Sequence, residues 1–267
     1  MSRLNEVCQQ YLAHSFRPYL YKNTERFPWH NYLKIVYNDA LTFDPATKRG
    51  GNKAGYKFRT LARAPQNKHL QHLVNELAYA KQFEEDIVID KLSLSDYFTS
   101  AAFFVIREAE GPNILDDISY GRVDAKSEAE AGSASLIPSA FDGKYTSTLK
   151  SKGFENDEVV ALAAIEAFGC AWDPKKKDTS KYPKLDNYYF KQLLNPSSDV
   201  VLQAELTGDA ELKAIVEKFA QDEKAYHATF GKAFIKLSNL GSNEEELINV
   251  ENLLIDHPYY KFITQYY

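Results

Sequence analysis

The chain has 267 residues and carries 32 Lys and Arg against 37 Asp and Glu, which gives a formal charge of −5. This acidic balance argues against nucleic acid as a partner, since nucleic-acid-binding domains are normally basic. Apolar residues make up 44% and charged residues 26% of the chain, so wholesale disorder is excluded. Cys8 and Cys170 are too few for a disulfide framework or a Cys-rich zinc site. No apolar stretch reaches the ~18–20 residues that cross a bilayer, so we expect no transmembrane segment.

Helical periodicity dominates the chain, and no sustained alternation of Val, Ile and Thr predicts a sheet. Four segments carry the helical pattern: the apolar stripe of Leu70, Leu73, Leu77 and Ala78; the run from an N-cap at Ser93 or Ser95 to Glu108; residues 159–168, ended by Gly169; and residues 212–237, as one or two helices. Because residues 159–168 are apolar nearly all round, that helix should be central. Loops are expected at residues 47–55, 111–124, 126–139 and 173–184. The pattern predicts an all-α protein of roughly ten helices.

Generic catalytic motifs are missing from the sequence, which has no Gly-rich phosphate loop, no H-E-x-x-H pair and no G-x-S-x-G elbow. His69 and His72 stand at i and i+3, a spacing that could ligate a metal from one helix face. Polar neighbours such as Lys68 and Gln71 favour a solvated face instead. We therefore predict no metal site.

One segment is more specific than any generic motif. Residues 33–44, followed by 47–51, resemble the distal helix and loop of the plant-type haem peroxidases. The resemblance is closest to the ascorbate peroxidase and cytochrome c peroxidase branch, whose pattern is R-L-A-W-H-x-A-G-T-[YF]-D…T-K-x-G-G. Further matches follow in the family's order at residues 64–70, 94–97, 111–112, 121–124, 136–140, 157–162, 186–190, 216–223 and 234–237. The resemblance implies a haem-peroxidase-like helical domain over residues 1–240, with residues 241–267 as a C-terminal helical and aromatic extension.

On the distal side, the resemblance places Lys34, Tyr37 and Asn38 where the family has its arginine, aromatic residue and histidine. In the family, the histidine takes and returns a proton while the arginine stabilises charge on the leaving oxygen. The three residues share one helical face, at i, i+3 and i+4. Asn38 cannot act as a base near neutral pH, because an amide does not titrate there. The resemblance therefore implies degenerate catalytic positions.

On the proximal side, the resemblance places Glu166 where the family has the histidine that ligates iron, and Asp199 where it has that histidine's aspartate partner. No histidine occurs between His72 and His227, so no small register shift restores the ligand. We expect no haem and no other cofactor.

A haem-sized cleft left empty would cost packing energy, so side chains should fill it. Candidates are Tyr37, Ile165 and Phe168. We hypothesise that Lys34 pairs with Glu166, or with Asp199, across the cleft. The alternative is that Lys34 reaches solvent while Glu166 bonds to a backbone or hydroxyl group.

The function implied by the resemblance is that of a catalytically inactive, haem-free protein with a structural or accessory role, and not an enzyme. Residues 38–42 resemble a haem-less ascorbate-peroxidase-like subgroup of plants. Its partners would be other protein subunits of a large respiratory or photosynthetic complex in an organelle, the mitochondrion before the plastid, with the cytoplasm as a further alternative.

Aromatic residues crowd the C-terminus and are candidates for docking on such a partner. They are Tyr259, Tyr260, Phe262, Tyr266 and Tyr267. The alternative is that they pack on the chain itself.

Two other functions remain open. One is a haem peroxidase with an atypical Glu or water ligand, or one that uses His30, which forms a Trp29-His30 pair eight residues upstream of the family's register. The other is a small-molecule binder that uses a remodelled cleft lined by Lys34, Tyr37 and Glu166.

Overall fold

The structure, a computed structural model, describes residues 9, 17–22, 27–83, 91–168, 183–256 and 261. Their α-helices, in chain order, are α1 (Arg17–Lys22), α2 (Trp29–Ala40), α3 (Arg59–Ala62), α4 (Gln71–Phe83), α5 (Leu94–Glu108), α6 (Glu128–Ala131), α7 (Tyr145–Ser151), α8 (Asn156–Leu162), α9 (Ala164–Ala167), α10 (Tyr188–Leu193), α11 (Gln203–Gly208), α12 (Ala210–Gln221), α13 (Glu223–Asn239) and α14 (Val250–Leu254). Short 3-10 turns lie at Gly55–Lys57, Pro65–Asn67, Leu115–Asp117, Ala134–Leu136 and Glu244–Glu246. Within these residues, extended pairing is limited to two isolated bridges. The predicted all-α fold is confirmed.

Helix α2 lies in the centre of the molecule and packs against α5 and α13. It begins after Pro28, whose carbonyl accepts a hydrogen bond from the Asn31 backbone N–H at 3.0 Å. Its apolar residues, among them Leu33 and Val36, are fully buried. Lys34 lies on the same helix but is only partly buried, so its side chain is at the edge of the core.

Helix α5 begins at the predicted N-cap, because the Ser93 hydroxyl accepts a hydrogen bond from the Asp96 backbone N–H at 2.9 Å. Asp96 also forms a buried ion pair with Arg122, at 2.8 Å between Oδ1 and Nη1. Arg122 in turn donates from Nε to the Ser238 carbonyl in α13 at 2.8 Å. These bonds fix the loop before Arg122 to both helices.

The predicted helix over residues 159–168 is interrupted. Helix α8 ends at Leu162, Ala163 forms a break, and α9 runs from Ala164 to Ala167. Glu166 therefore lies in a separate one-turn helix, which contacts α2. The expected stop at Gly169 lies outside the described residues.

Two other segments refine the expectations. Residues 212–237 form two helices, because Asp222 leaves the helical conformation and caps α13 by accepting from the Ala225 backbone N–H at 3.0 Å. The loop expected over residues 126–139 contains α6, which Ser127 caps. The loop expected over residues 173–184 lies almost wholly outside the described residues.

The described part of the C-terminal segment packs on the helical domain. Val250 and Leu254 of α14 are buried, and Ile248 forms a two-bond bridge with Tyr120 at 2.7 and 2.8 Å. The aromatic docking candidates at 259, 260, 262, 266 and 267 lie outside the described residues. The division at residue 240 stays a prediction.

Among the helices of the described ranges, none combines the length and apolar character that a membrane crossing requires.

Candidate ligand-binding cleft

Helix α2 presents Lys34 and Asn38 to a cleft and Tyr37 to the core. Tyr37 is fully buried, while Lys34 and Asn38 line a cavity. The Asn38 side-chain N–H donates to Asn67 Oδ1 at 2.8 Å, and Asn67 donates to the Leu61 carbonyl at 2.9 Å. This relay holds the Asn38 amide in one orientation against the 3-10 turn Pro65–Asn67.

Lys34 and Glu166 form an ion pair that bridges α2 and α9, with Lys34 Nζ in direct contact with Glu166 Oε2. Their side chains are 14% and 13% exposed, so solvent screens the pair much less than it screens a surface pair. Lys34 Nζ also lies 4.9 Å from the centroid of the Tyr37 ring, close enough for a cation–π contact. The hypothesis that Lys34 pairs with Glu166 across the cleft is confirmed.

Asp199 takes no part in this pairing. It lies exposed in the segment before α11 and does not line the cavity. The Ser198 hydroxyl in that segment bonds to the Gln192 carbonyl at 2.6 Å, which ties the segment to the end of α10 instead. Of the two partners that the sequence offered Lys34, the structure therefore selects Glu166 and not Asp199.

Three buried tyrosines surround the carboxylate of Glu166. Burial raises the pKa of Tyr37, Tyr145 and Tyr189 well above the ordinary value, and the negative charge of Glu166 raises each pKa further. Tyr145 donates to the Val159 carbonyl at 3.0 Å and Tyr189 to the Val201 carbonyl at 2.9 Å. The phenols are therefore neutral at physiological pH.

Apolar side chains fill the interior beside the ion pair, as expected. Tyr37 and Ile165 are at most 1% exposed, and Phe168 is buried too. Ile165 and Phe168 flank Glu166 along the chain, so the packing around α9 restricts where the carboxylate can move.

A cavity of about 450 Å³ remains above the ion pair. Its lining combines polar and apolar side chains and comprises Lys34, Asn38, Pro65, Gln66, His69, Ile137, Pro138, Ser139, Ala140, Phe141, Asp142 and Glu166. We call Lys34 and Glu166 the floor of the cavity and residues 137–142 its wall. Phe141, at the rim, is 87% exposed. The volume falls within the range of small-molecule sites.

The histidines near this cavity are neutral at physiological pH. Partial desolvation of the ring, with a smaller effect from Lys34, lowers the pKa of His69, while Glu166 opposes the shift. Burial, with smaller effects from His69 and Lys34, lowers the pKa of His30 to about 4. His30 is not among the residues that line the cavity.

His69 and His72 are both exposed, as the solvated-face interpretation predicts, and the His72 ring lies 5.1 Å from that of Phe27. Across the described ranges, no cluster of three or more His, Cys, Asp or Glu side chains is arranged to hold a metal ion.

The cavity wall at residues 137–142 is the part of the site that sequence reasoning missed. The resemblance placed residues 136–140 on a family motif but gave them no function. His69 was assigned to a solvated face, although it also borders the cavity. A residue that is exposed on one side and lines a cavity on the other leaves no separate signal in the helical periodicity.

Comparison with known proteins identifies the fold. The sequence model of the peroxidase family matches residues 7–222, so the chain belongs to the peroxidase family.

Similar proteins include L-ascorbate peroxidase T, chloroplastic, of Arabidopsis thaliana, which is 27% identical over 88% of this chain and 60% of its own length. Two proteins of Oryza sativa subsp. japonica are also similar. Probable L-ascorbate peroxidase 7, chloroplastic, is 26% identical over 79% of this chain and 66% of its own. Probable L-ascorbate peroxidase 3, peroxisomal, is 27% identical over 78% of this chain and 72% of its own length. The chain thus spans less than two thirds of the first two relatives.

These relatives correct one expectation. The sequence-based conclusion that the chain is not an enzyme is wrong by this comparison, because the relatives are named as ascorbate peroxidases, which are enzymes. The relatives are named as chloroplastic, peroxisomal or cytosolic, which is consistent with an organelle but gives the mitochondrion no support.

Proposed function

We propose that this member of the peroxidase family acts without a haem between its cleft helices, in an accessory role within an organellar protein complex. The observation that carries the proposal is the ion pair of Lys34 and Glu166, which joins the two helices where the family resemblance places the haem.

The residues present do not fit a haem held in the family's manner. Glu166 takes the place of the ligand, and its carboxylate is already bound to Lys34. Haem iron is usually held by His, Cys, Met or Tyr, and the chain has no histidine between His72 and His227. A haem inserted here would have to break a largely buried ion pair and displace Tyr37 or Ile165 from the core.

Two observations support the accessory role and the organelle. The chloroplastic and peroxisomal names of similar proteins support an organelle. The five aromatic residues between 259 and 267 supply the type of side chain that anchors protein interfaces. They are the candidates for docking on another subunit.

The experiment is an absorption spectrum and native mass spectrometry on the protein isolated from its source. The proposal predicts no Soret band and a particle heavier than the 30.4 kDa chain, with other subunits at a fixed ratio. A Soret band would overturn the haem-free part. A lone chain at 30.4 kDa would overturn the accessory role. A haem-loaded ascorbate peroxidase, treated in the same way, controls for loss of cofactor.

A second candidate function is small-molecule binding, which the cavity of about 450 Å³ favours. Lys34 and Glu166 place two opposite charges at its floor, while Ile137, Pro138 and Phe141 offer apolar surface. Binding sites of this kind combine an apolar wall with a few fixed polar groups.

A further inference from the structure

We propose that the cavity binds a small zwitterion, namely a free α-amino acid with an apolar side chain. The inference rests on the haem-free cleft proposed above. Its basis is that Lys34 and Glu166 line the same cavity with opposite charges, beside an apolar wall.

The ion pair leaves binding capacity on both partners. An ammonium group has three N–H donors and a carboxylate has about four acceptor positions, so each group can make further contacts besides the one that joins Lys34 to Glu166. A ligand carboxylate can accept a remaining N–H of Lys34 while the ligand ammonium donates to Glu166. The four charges then alternate in sign, and the helix-bridging contact is kept.

Three other polar side chains of the lining, those of Asn38, Gln66 and Asp142, are occupied within the protein. Asn38 donates to Asn67 at 2.8 Å, and Gln66 donates to the Ala134 carbonyl at 2.8 Å. Asp142, at the rim, accepts from the backbone N–H groups of Ser139 and Lys144 at 3.2 and 2.9 Å. The charges of Lys34 and Glu166 are therefore the groups that orient a ligand.

The charge balance of the cavity disfavours ligands with a single charge. An anion would gain Lys34 but approach Glu166 and Asp142, and a cation would gain Glu166 but approach Lys34. His69 adds no charge, because its pKa is lowered and the ring is neutral near pH 7. A zwitterion satisfies both charges at the floor.

The apolar wall selects the side chain of that amino acid. Ile137, Pro138 and Ala140 lie along the cavity, and Phe141 stands exposed at its rim. Covering this surface with an aromatic or branched aliphatic side chain removes apolar area from water. Polar amino acids such as serine would leave the wall hydrated.

The test uses three probes on the full wild-type chain by titration calorimetry: L-phenylalanine, 3-phenylpropionate, which lacks the ammonium, and 2-phenylethylamine, which lacks the carboxylate. Loss of one charge-assisted hydrogen bond should weaken binding about tenfold or more. We therefore expect L-phenylalanine to bind at least about tenfold more tightly than either analogue. Equal affinities for the three probes, or no binding by any, would overturn the inference.

Two variants test the assignment of each charge. Glu166→Gln should remove the advantage of L-phenylalanine over 3-phenylpropionate, and Lys34→Gln should remove its advantage over 2-phenylethylamine. Lys184→Gln serves as the control, because Lys184 forms an exposed ion pair with Glu110 at 2.6 Å and does not line the cavity. An unchanged probe order in both cleft variants would count against the inference.

If either variant fails to fold, the probe series on the wild-type chain still tests whether the cavity prefers a zwitterion.

Adding haem to the wild-type chain separates the two proposals. A Soret band from haem bound in the cleft defeats the haem-free function, whereas no Soret band together with no discrimination among the probes defeats this inference alone.

Discussion

The ion pair between Lys34 and Glu166 should contribute measurably to stability, and a double-mutant cycle measures how much. The perturbations are Lys34→Met, Glu166→Leu and the two together, each of which keeps side-chain volume while it removes charge. The side chains are 14% and 13% exposed, so the pair lies between the surface and fully buried cases.

The magnitude follows from that intermediate burial. Unit charges about 4 Å apart attract by about 4 kcal/mol at an effective dielectric constant near 20, and the cost of desolvation offsets part of this. Either single substitution leaves the partner charge largely out of water, so we expect a loss of about 2–4 kcal/mol. The double variant has no unpaired charge and should lose about 1–2 kcal/mol, which implies a coupling of at least about 2 kcal/mol.

The assay is urea unfolding of the four proteins, with the free energy of unfolding extrapolated to zero denaturant. The matched control is the same cycle on Lys184 and Glu110, whose side chains are 58% and 66% exposed. That cycle should show no measurable coupling, because solvent screens exposed pairs. If the effects at Lys34 and Glu166 add to within about 0.5 kcal/mol, the reasoning about the bridge is refuted.

Three further predictions concern the scaffold. Asp39 is buried, and burial raises the pKa of its carboxyl to about 7, although backbone hydrogen bonds act to lower it. Because the pKa in the unfolded chain is 3.8, the folded state binds the proton more tightly, and the free energy of unfolding should fall as the pH rises from about 4 to about 7. Urea unfolding across that range should show this slope, and Asp39→Asn should abolish it; a wild-type slope of opposite sign would count against the raised pKa. Asp96→Asn leaves Arg122 buried at the centre of its hydrogen bonds without a counter-charge, and should cost about 3–5 kcal/mol in urea unfolding; a loss below about 1 kcal/mol would contradict the role assigned to the pair. Ser93→Ala removes the N-cap of α5 and should cost about 1 kcal/mol, whereas Ser93→Gly should cost only a few tenths; equal losses in thermal unfolding would show that the cap is not the cause.

The sequence predicted the helical scaffold well because its local signals agree with the tertiary structure. The Ser93 N-cap and the apolar run that follows it both favour one helix, and α5 is buried on nearly every side. Asp222 is a good capping residue in the middle of a helical pattern, so the choice between one helix and two over residues 212–237 depended on a single side chain. The break at Ala163 has no such signal, since alanine and its neighbours all favour helix.

The cleft was predicted in its charges but not in its shape. The family resemblance predicted that the helices of Lys34 and Glu166 face each other, but it left Asp199 and solvent as alternative partners of Lys34, and the structure selects Glu166. The wall at residues 137–142 and the relay from Asn38 to Asn67 depend on how a loop returns to the domain, which local periodicity does not encode. The exposed position of Asp199 likewise follows from the segment between α10 and α11.

The most direct test of the account is a titration of haem into the purified full-length chain, followed by its absorption spectrum and by resonance Raman spectroscopy of the iron–ligand bond. The account predicts no saturable Soret band, because Lys34 and Glu166 hold the two cleft helices together and no imidazole stands at the ligand position. A stoichiometric complex with a protein nitrogen bound to the iron would contradict it.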